Sequence, residues 1–266
     1  MNPDITSPSN ERIKAAVRLR DRDERDRTGL TVADGIREIG RALDAGASIE
    51  TAFVASDLLT AAGEGLVDRL GRAAGTTIVT TTEAAFRKIA FGDRIEGVVA
   101  VIRQPDHALA NLSLRAEPLV VVLEAVEKPG NLGAVLRSAD GAGADALIAA
   151  DPVTDLFNPN TIRASIGTVF SVPIATGDSA AVRDFLAEHG LRLVVARPDA
   201  ADEYTGVDLR GPVAIVLGSE ASGLSAAWAG PDVIPVRLPM EGVADSLNVS
   251  IAAAVLLYEA RRQRQS

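Results

Sequence analysis

The second half of the chain carries short runs of aliphatic residues, and these runs restrict the fold more than any other feature of the sequence. Residues 119–123 and 213–217 contain no polar side chain, and residues 146–149 and 191–196 are similar apart from Arg192. Strands of this kind are buried on both faces, which happens mainly in parallel sheets that helices cover. We therefore predict a wound α/β domain in this part of the chain.

The first hundred residues predict a second, smaller α/β domain. Residues 106–116 show no sustained periodicity, so we interpret them as a linker between a domain at residues 1–105 and a domain at residues 117–266. Strands are predicted in the first domain at residues 30–33, 51–55, 76–80 and 98–102, and Asp34 can cap the helix that follows. Helices are predicted at residues 65–74, 83–90, 132–141, 179–188 and 247–264.

Residue composition excludes several kinds of site. The chain has no cysteine, which rules out disulfides, thiolate zinc sites and a cysteine nucleophile, and its two histidines are too few for a histidine-rich metal site. No apolar run approaches the roughly 20 residues that a transmembrane helix needs, and residues 1–10 lack the layout of a signal peptide. We expect a cytoplasmic protein that binds no metal and no membrane.

The distribution of charge bears on nucleic-acid binding. A net charge of −9 opposes contact with a polyanion, but residues 1–116 hold 16 basic and 17 acidic side chains, whereas residues 117–266 hold 11 and 19. Residues 11–27 are dense in both signs and predict a helix, which is either a solvated, salt-bridged helix or a grip for RNA backbone. The arginines that we assign to RNA contact are Arg12, Arg18, Arg20, Arg22, Arg25 and, in the second domain, Arg163.

Three segments of the second domain place glycine, asparagine, serine or glutamate where a strand gives way to a loop or helix. This is the edge at which open parallel sheets bind ligands. In the first segment, Pro129 and Gly130 form a tight turn and Asn131 can cap the next helix. Arg137 lies two turns into that helix; taken alone, such an arginine is more often a solvated surface group.

The other two segments follow the same pattern. After the strand at residues 213–217, Gly218 lets backbone amides approach a ligand closely and Glu220 places a carboxylate in the turn. An ordinary strand-to-helix loop is the alternative. In the third segment, Ser246 and Asn248 stand at the start of the last helix, behind a Leu-Pro-Met-Glu-Gly turn, where side-chain oxygens cap and backbone amides are free.

Together these segments resemble the three signature motifs of the SpoU (TrmH) family of RNA ribose methyltransferases. The order and spacing of the motifs match over the whole second domain, and the Arg-Ala-Ser-Ile-Gly stretch at residues 163–167 also looks like a family segment. The first domain is similar, more loosely, to the ribosomal-protein-like substrate-binding domain that is often fused in front, including residues 95–101.

The resemblance implies a fold class, a cofactor and partners. The fold would be a parallel sheet threaded into a trefoil knot, preceded by a smaller α/β domain, and the protein would be a homodimer that binds S-adenosylmethionine and RNA. The reaction would transfer a methyl group to a ribose 2′-hydroxyl. The implied catalytic residues are Asn131, Arg137, Glu220, Ser246 and Asn248, and the implied cofactor contacts are Leu217, Gly218, Ile234, Leu238, Met240 and Leu247.

Several alternatives stay open at the level of sequence. Ribosomal RNA is our preferred target, but transfer RNA and a site that confers antibiotic resistance are not excluded. The proton acceptor is Arg137, a phosphate or water, and we favour an electrostatic role for Arg137 because a guanidinium pKa above roughly 12 rarely permits proton loss. An RNA-binding module without catalysis is a rival, whereas a hydrolase lacks the Gly-x-Ser-x-Gly elbow.

Overall fold

Residues 3–92, 95–220 and 222–265 are described by a computed structural model of the chain, and they divide into two units. The first unit consists of the residues up to Pro105 together with Leu156–Ser171. The second consists of Asp106–Asp155 and the residues from Val172 onward. By this division Leu156–Ser171 groups with the first unit, although we assigned it to the second domain from sequence.

The first unit is a mixed four-stranded sheet with helices packed against it. Its strand order is β1-β4-β2-β3; β4 runs antiparallel to β1 and to β2, and β3 runs parallel to β2. The strands are β1 (Leu30–Asp34), β2 (Ile49–Val54), β3 (Thr77–Thr80) and β4 (Val98–Arg103), and the helices are α1 (Glu11–Arg18), α2 (Arg22–Thr28), α3 (Ile36–Asp44), α4 (Ala61–Arg72) and α5 (Glu83–Ile89).

The arginine-rich segment forms two helices, so the single helix that we predicted for residues 11–27 is wrong. α1 ends at Arg18, and α2 begins only at Arg22 after the buried C-cap Leu19. α1 buries Ile13 and Ala16, whereas the one buried residue of α2 is Arg25. No glycine or proline marks the break, which is why the charge pattern alone did not indicate it.

The prediction that Asp34 caps a helix is also wrong. Asp34 is the last residue of β1, and Gly35 occupies the N-cap position of α3. The Asp34 carboxylate instead accepts hydrogen bonds from the backbone amides of Phe91 and Gly92 at 2.8 and 2.9 Å. Burial raises the pKa of this carboxyl above its ordinary value, while these two hydrogen bonds oppose the shift.

The second unit is built on a parallel sheet of the kind that the aliphatic runs predict. Every neighbouring pair of strands is parallel, in the order β10-β8-β9-β5-β6-β7. The strands are β5 (Leu119–Glu124), β6 (Ala146–Ala150), β7 (Ile174–Gly177), β8 (Arg192–Ala196), β9 (Val213–Leu217) and β10 (Val233–Val236), and the helices are α6 (Pro129–Ala142), α8 (Ser179–Glu188) and α9 (Val249–Arg264); α7 (Pro159–Ala164) belongs to the first unit.

The strand order places a crevice between β5 and β9. From β5 the chain moves outward to β6 and β7 on one side, whereas from β9 it moves past β8 to β10 on the other. Connections that leave two neighbouring strands in opposite directions open a space at their carboxyl ends, which is where open α/β sheets bind ligands. The first motif follows β5 and the second follows β9, so both lie at this switch point.

The two edge strands, β7 and β10, and the helix α7 were not predicted from the sequence. β10 has the sequence Val-Ile-Pro-Val, and proline is tolerated there because the strand lies at the edge of the sheet. β7 is only four residues long, and α7 only six. Ala125 and Asp151, which directly follow β5 and β6, adopt left-handed backbone conformations with φ of 52° and 45°. Such strain in non-glycine residues is typical of functional edges.

Candidate functional site

The glycine turn after β9 leaves no room for a side chain at Gly218. A Cβ at this position would lie 2.2 Å from the carbonyl carbon of Gly223 and 2.4 Å from the amide nitrogen of Leu224. The turn is closed by a hydrogen bond of 3.0 Å from the Gly223 amide to the Ser219 carbonyl. Gly218 is therefore required by the close approach of two backbone segments.

The carboxylate of Glu220, in the second motif, forms hydrogen bonds with polar side chains of the first and third motifs. Its carboxylate accepts hydrogen bonds from Lys128 Nζ at 2.5 Å and from Asn131 Nδ2 at 2.9 Å, and it also accepts one from Asn248 Nδ2. Asn248 Nδ2 lies 3.3 Å from Asn131 Oδ1 as well. Side chains that are 28 to 92 positions away from Glu220 in sequence thus meet at its carboxylate, and we call Glu220, Lys128, Asn131 and Asn248 the Glu220 cluster.

The charge state of Glu220 follows from its partners. The hydrogen bond from Lys128 lowers the pKa of Glu220 below its ordinary value of 4.5, and the Asn131 amide and the positive charge of Lys128 lower it further. The pKa of Lys128 is raised for the same reason. The pair is therefore ionised throughout the neutral range, and Glu220 acts there as a hydrogen-bond acceptor.

Asn248 does two tasks at once. Its Oδ1 accepts from the backbone amide of Ser250 at 2.9 Å, which makes it the N-cap of α9, while its Nδ2 donates to the Glu220 cluster. The predicted cap at Asn248 is confirmed. The predicted cap at Asn131 is wrong: Lys128 is the N-cap of α6 and Asn131 lies in its first turn, where its amide is directed to Glu220.

Two neighbouring clefts share Gly218 and Glu220 in their linings: a smaller one that also contains Lys128 and Asn131, and a larger one beside the Glu220 cluster. Most of the predicted cofactor contacts line the larger cleft, whereas Ile234 does not. The predicted residues in its lining are Leu217, Gly218, Leu238, Met240 and Leu247, and Ser246 lines it as well.

Comparison with known proteins shows which protein family has these motifs and this fold. Residues 118–258 match the SpoU rRNA methylase family, and residues 10–100 match the MRM3-like substrate-binding domain. The 23S rRNA (uridine(2479)-2′-O)-methyltransferase of Streptomyces viridochromogenes is 31% identical over 259 residues, which cover 93% of this chain and 88% of that protein. The chain belongs to the SpoU rRNA methylase family.

Solved structures of family members agree with this assignment. A crystal structure of an RNA 2′-O ribose methyltransferase is 42% identical, covers 98% of this chain and 99% of its own, and has a TM-score of 0.86. The rRNA methyltransferase of Sinorhizobium meliloti, solved with AdoMet bound, is 30% identical over 97% of both chains, with a TM-score of 0.88. The SpoU fold is a trefoil knot, so the fold class that we predicted from the motifs is confirmed.

Arg137 is placed apart from the Glu220 cluster. It projects from the exposed face of α6, and within the described part of the chain its guanidinium has no hydrogen bond or ion pair. Neither of the two clefts that contain Gly218 and Glu220 includes it in the lining. An exposed arginine without a protein partner keeps its donors available for an external anion.

The arginines predicted to contact RNA separate into two groups. Arg12 and Arg18 are exposed and line a groove of about 650 Å³ whose floor includes Phe53, and Arg22 is exposed on α2. Arg25 is only 1% exposed, and its Nη1 donates to the carbonyls of Leu19 and Arg20 at 2.9 and 2.7 Å. The prediction that Arg25 contacts RNA is wrong, because its guanidinium closes the break between α1 and α2.

Arg20 and Arg163 are also used within the first unit. Arg20 Nη2 donates to three carbonyls at the carboxyl end of α5, those of residues 88, 89 and 90, at 3.1, 2.8 and 3.2 Å. Both guanidinium groups lie near the ring of Phe91, at 5.4 and 5.9 Å from its centroid. Arg163 lines a pocket with Asp34, Glu38 and Glu96, and these carboxylates oppose the approach of a phosphate.

Two residues at the site were missed as functional candidates. Lys128, which directly precedes the Pro-Gly turn of the first motif, was given no role from the sequence, although it forms an ion pair with Glu220. Glu124 ends β5 and is 4% exposed. The signal was available in the sequence, because a carboxylate that ends an otherwise aliphatic strand requires a specific partner when it is buried. Across the described residues, no cluster of side chains suited to a metal ion occurs, and no helix has the length and hydropathy to span a membrane.

Proposed function

We propose that this chain transfers the methyl group of S-adenosylmethionine to a ribose 2′-hydroxyl of ribosomal RNA. The observation that carries the proposal is the meeting of all three motifs at the switch point of the sheet, where the Glu220 cluster borders a cleft that most of the predicted cofactor contacts line. Its relatives act on ribosomal RNA by name, including the 23S rRNA (guanosine(2553)-2′-O)-methyltransferase of Bacillus subtilis, which is 27% identical over 97% of this chain.

The lining of the larger cleft fits the cofactor. S-adenosylmethionine combines a flat adenine, which favours apolar contacts, with polar groups that need backbone or side-chain partners. The cleft offers the side chains of Leu238, Met240 and Leu247 on one hand and the tight backbone at Gly218 on the other. When bound, the sulfonium supplies an electrophilic methyl group. We assign the holding of the cofactor to these residues and to Leu217.

The chain's own residues would align the ribose and stabilise charge on its oxygen. The Arg137 guanidinium has no partner among the residues that the structure describes, which suits it to hold an RNA phosphate and to stabilise the developing alkoxide. Asn131, Asn248 and Glu220 fix one another, and with Ser246 they would orient the reacting groups. The proton would then leave through a phosphate or water.

RNA contact by the first unit is proposed for its exposed arginines. Arg12 and Arg18 share one groove, and Arg22 is exposed nearby on α2. Each phosphate contact that is lost should reduce the slope of log K against log salt concentration by about 0.7 to 0.9. Replacing Arg12 with alanine should therefore flatten the salt dependence of rRNA-fragment binding by about one contact, and an unchanged slope would remove Arg12 from the interface.

We further propose that the protein is a homodimer that acts in the cytoplasm. The last helix α9 exposes Ile251 and Tyr258, which are 53% and 51% exposed, and Leu247 just ahead of it is 36% exposed. Large apolar side chains grouped on one helix favour contact with a second subunit. Light scattering after size-exclusion chromatography should give twice the mass of 27.6 kDa, and a monomer at micromolar concentration would refute this part of the proposal.

The function is tested by mapping 2′-O-methyl groups in total RNA from cells with and without the gene. We expect one ribosomal RNA ribose to lose its methyl group when the gene is deleted. Loss of a transfer RNA methyl group instead would establish the alternative substrate. Unchanged maps in both RNA classes, together with purified protein that takes up no S-adenosylmethionine, would favour the non-catalytic RNA-binding module.

A further inference from the structure

We infer that Glu124 is a positioning residue that holds the glycine turn of the methyl-donor cleft in place. The inference rests on the proposed function, because the turn in question forms a wall of the proposed cofactor cleft. Glu124 belongs to none of the three motifs. It is the last residue of β5, it is buried, and it lines a cleft of about 540 Å³ together with Asn131, Gly218 and Glu220.

Both oxygens of the Glu124 carboxylate accept hydrogen bonds from one residue, Ser225. Oε2 accepts from the backbone amide of Ser225 at 2.7 Å, and Oε1 accepts from Ser225 Oγ at 2.6 Å. Ser179 Oγ lies 2.9 Å from Oε1 and 2.6 Å from Asp151 Oδ2, so its single hydroxyl hydrogen is shared between the two carboxylates. Hydrogen bonds to an ionised acceptor are roughly twice as strong as neutral ones, and a two-point grip fixes direction as well as distance.

The hydrogen bonds between Glu124 and Ser225 hold one end of the segment that carries the second motif. The segment leaves the sheet after Leu217, which pairs with Leu123 in the register of β5 and β9. It ends at Ser225, which is bound by Glu124. Both ends of residues 218–224 are therefore fixed on consecutive residues of one central strand, and Gly218 and Glu220 lie between the two anchors.

Removing the second anchor would lengthen the free loop without touching the cofactor cleft directly. A loop that samples more conformations must be ordered again when ligand binds, and that ordering weakens affinity. A residue that only stabilised the fold would lower Tm and leave ligand affinity unchanged. The two roles are separable because Ser179 bonds the same carboxylate from the first position of α8, which is no part of the loop.

The test measures S-adenosylmethionine affinity by calorimetry and Tm for four variants of the full chain. Glu124→Gln keeps the size of the side chain but cannot accept at both oxygens, and we expect its Kd to rise at least tenfold. Ser225→Ala keeps the backbone bond, so its Kd should rise about threefold. The matched control Ser179→Ala should lower Tm and change Kd by less than 1.5-fold. In the double variant Glu124→Gln/Ser225→Ala, the two effects should not multiply, because both remove the same contact.

Hydrogen exchange on the ligand-free protein gives a second readout that needs no cofactor. The amides of residues 218–220 and 222–224 should exchange at least fivefold faster in Glu124→Gln and Ser225→Ala than in wild type, and at the wild-type rate in Ser179→Ala. Equal exchange in all variants, or equal rises in Kd for Ser225→Ala and Ser179→Ala, would overturn the inference. Wild-type protein that binds no S-adenosylmethionine would contradict the proposed function alone, since the exchange comparison still decides the role of Glu124. Should Glu124→Gln fail to fold, Ser225→Ala against Ser179→Ala carries both readouts.

Discussion

Substitution of Gly218 by alanine tests the cofactor cleft most directly. The added Cβ would lie 2.2 and 2.3 Å from the carbonyl carbon and oxygen of Gly223, both of them backbone atoms that no rotamer change can move. The turn must open by roughly 1.2 Å before an ordinary contact distance of 3.4 Å is reached. That movement breaks the 3.0 Å bond between Gly223 and Ser219 and disturbs the 2.8 Å contact between the hydroxyls of Ser219 and Ser222.

The magnitude follows from these two interactions. Each of these two contacts contributes about 1 kcal/mol net. If S-adenosylmethionine binds only to the closed turn, closing it in the variant would reduce the binding free energy by about 2 kcal/mol. This energy corresponds to a Kd for S-adenosylmethionine that is about 30-fold higher. Isothermal titration calorimetry measures it, with Gly206→Ala as the matched control because a Cβ at Gly206 meets no atom within 4 Å. A Gly218→Ala protein that binds within threefold of wild type would show that the cleft is not where the cofactor lies.

Three further predictions concern charged side chains. Arg137→Ala should leave the free energy of unfolding within about 0.5 kcal/mol of wild type, because the side chain is exposed and unpartnered among the described residues, while turnover falls roughly 100-fold or more. Arg137→Lys with near-full turnover and unchanged RNA affinity would contradict the proposed electrostatic role. Glu220→Gln should be less stable than wild type above pH 4.5. The difference in stability should vanish as the pH falls through the lowered pKa of Glu220, because a carboxyl with a depressed pKa stabilises the fold only when it is ionised. Thermal melts between pH 3 and pH 7 measure this difference, and a difference that grows on acidification would refute the prediction. Arg25→Met should lower the free energy of unfolding by about 2–3 kcal/mol because two buried carbonyls lose their donor, against little change for the exposed Arg22→Met in the same denaturant titration.

The central strands were predictable because burial on both faces forces an aliphatic run. Val213–Leu217 was predicted with its observed bounds, and β5 extends only one residue beyond its predicted end. Edge strands escape this logic, since one of their sides is unpaired and the constraint on composition is weaker. Pro235 in β10 even argued against a strand.

The polar contacts of the site could be anticipated as a group but not as pairs. Resemblance to the family indicated that Asn131, Glu220 and Asn248 belong together, yet nothing in their spacing shows that Lys128 completes the group. A hydrogen-bond partner is set by side-chain direction, which depends on how the helices pack on the sheet. The same limit explains Arg25, because a sequence dense in arginine does not show which guanidinium turns inward.

The Glu220 cluster narrows the question of which group accepts the ribose proton. A general base works best when its pKa lies near the operating pH. Lys128 and the Asn131 amide hold the pKa of Glu220 below its ordinary value of 4.5, and such a carboxylate is both a weak base and already occupied by three donors. Arg137 is unsuited for the opposite reason, because its guanidinium keeps its proton. Glu220 and Arg137 are therefore assigned alignment and charge stabilisation rather than proton removal, and proton transfer to an RNA phosphate or to water stays our proposal, because the low basicity of these two side chains does not by itself identify the acceptor.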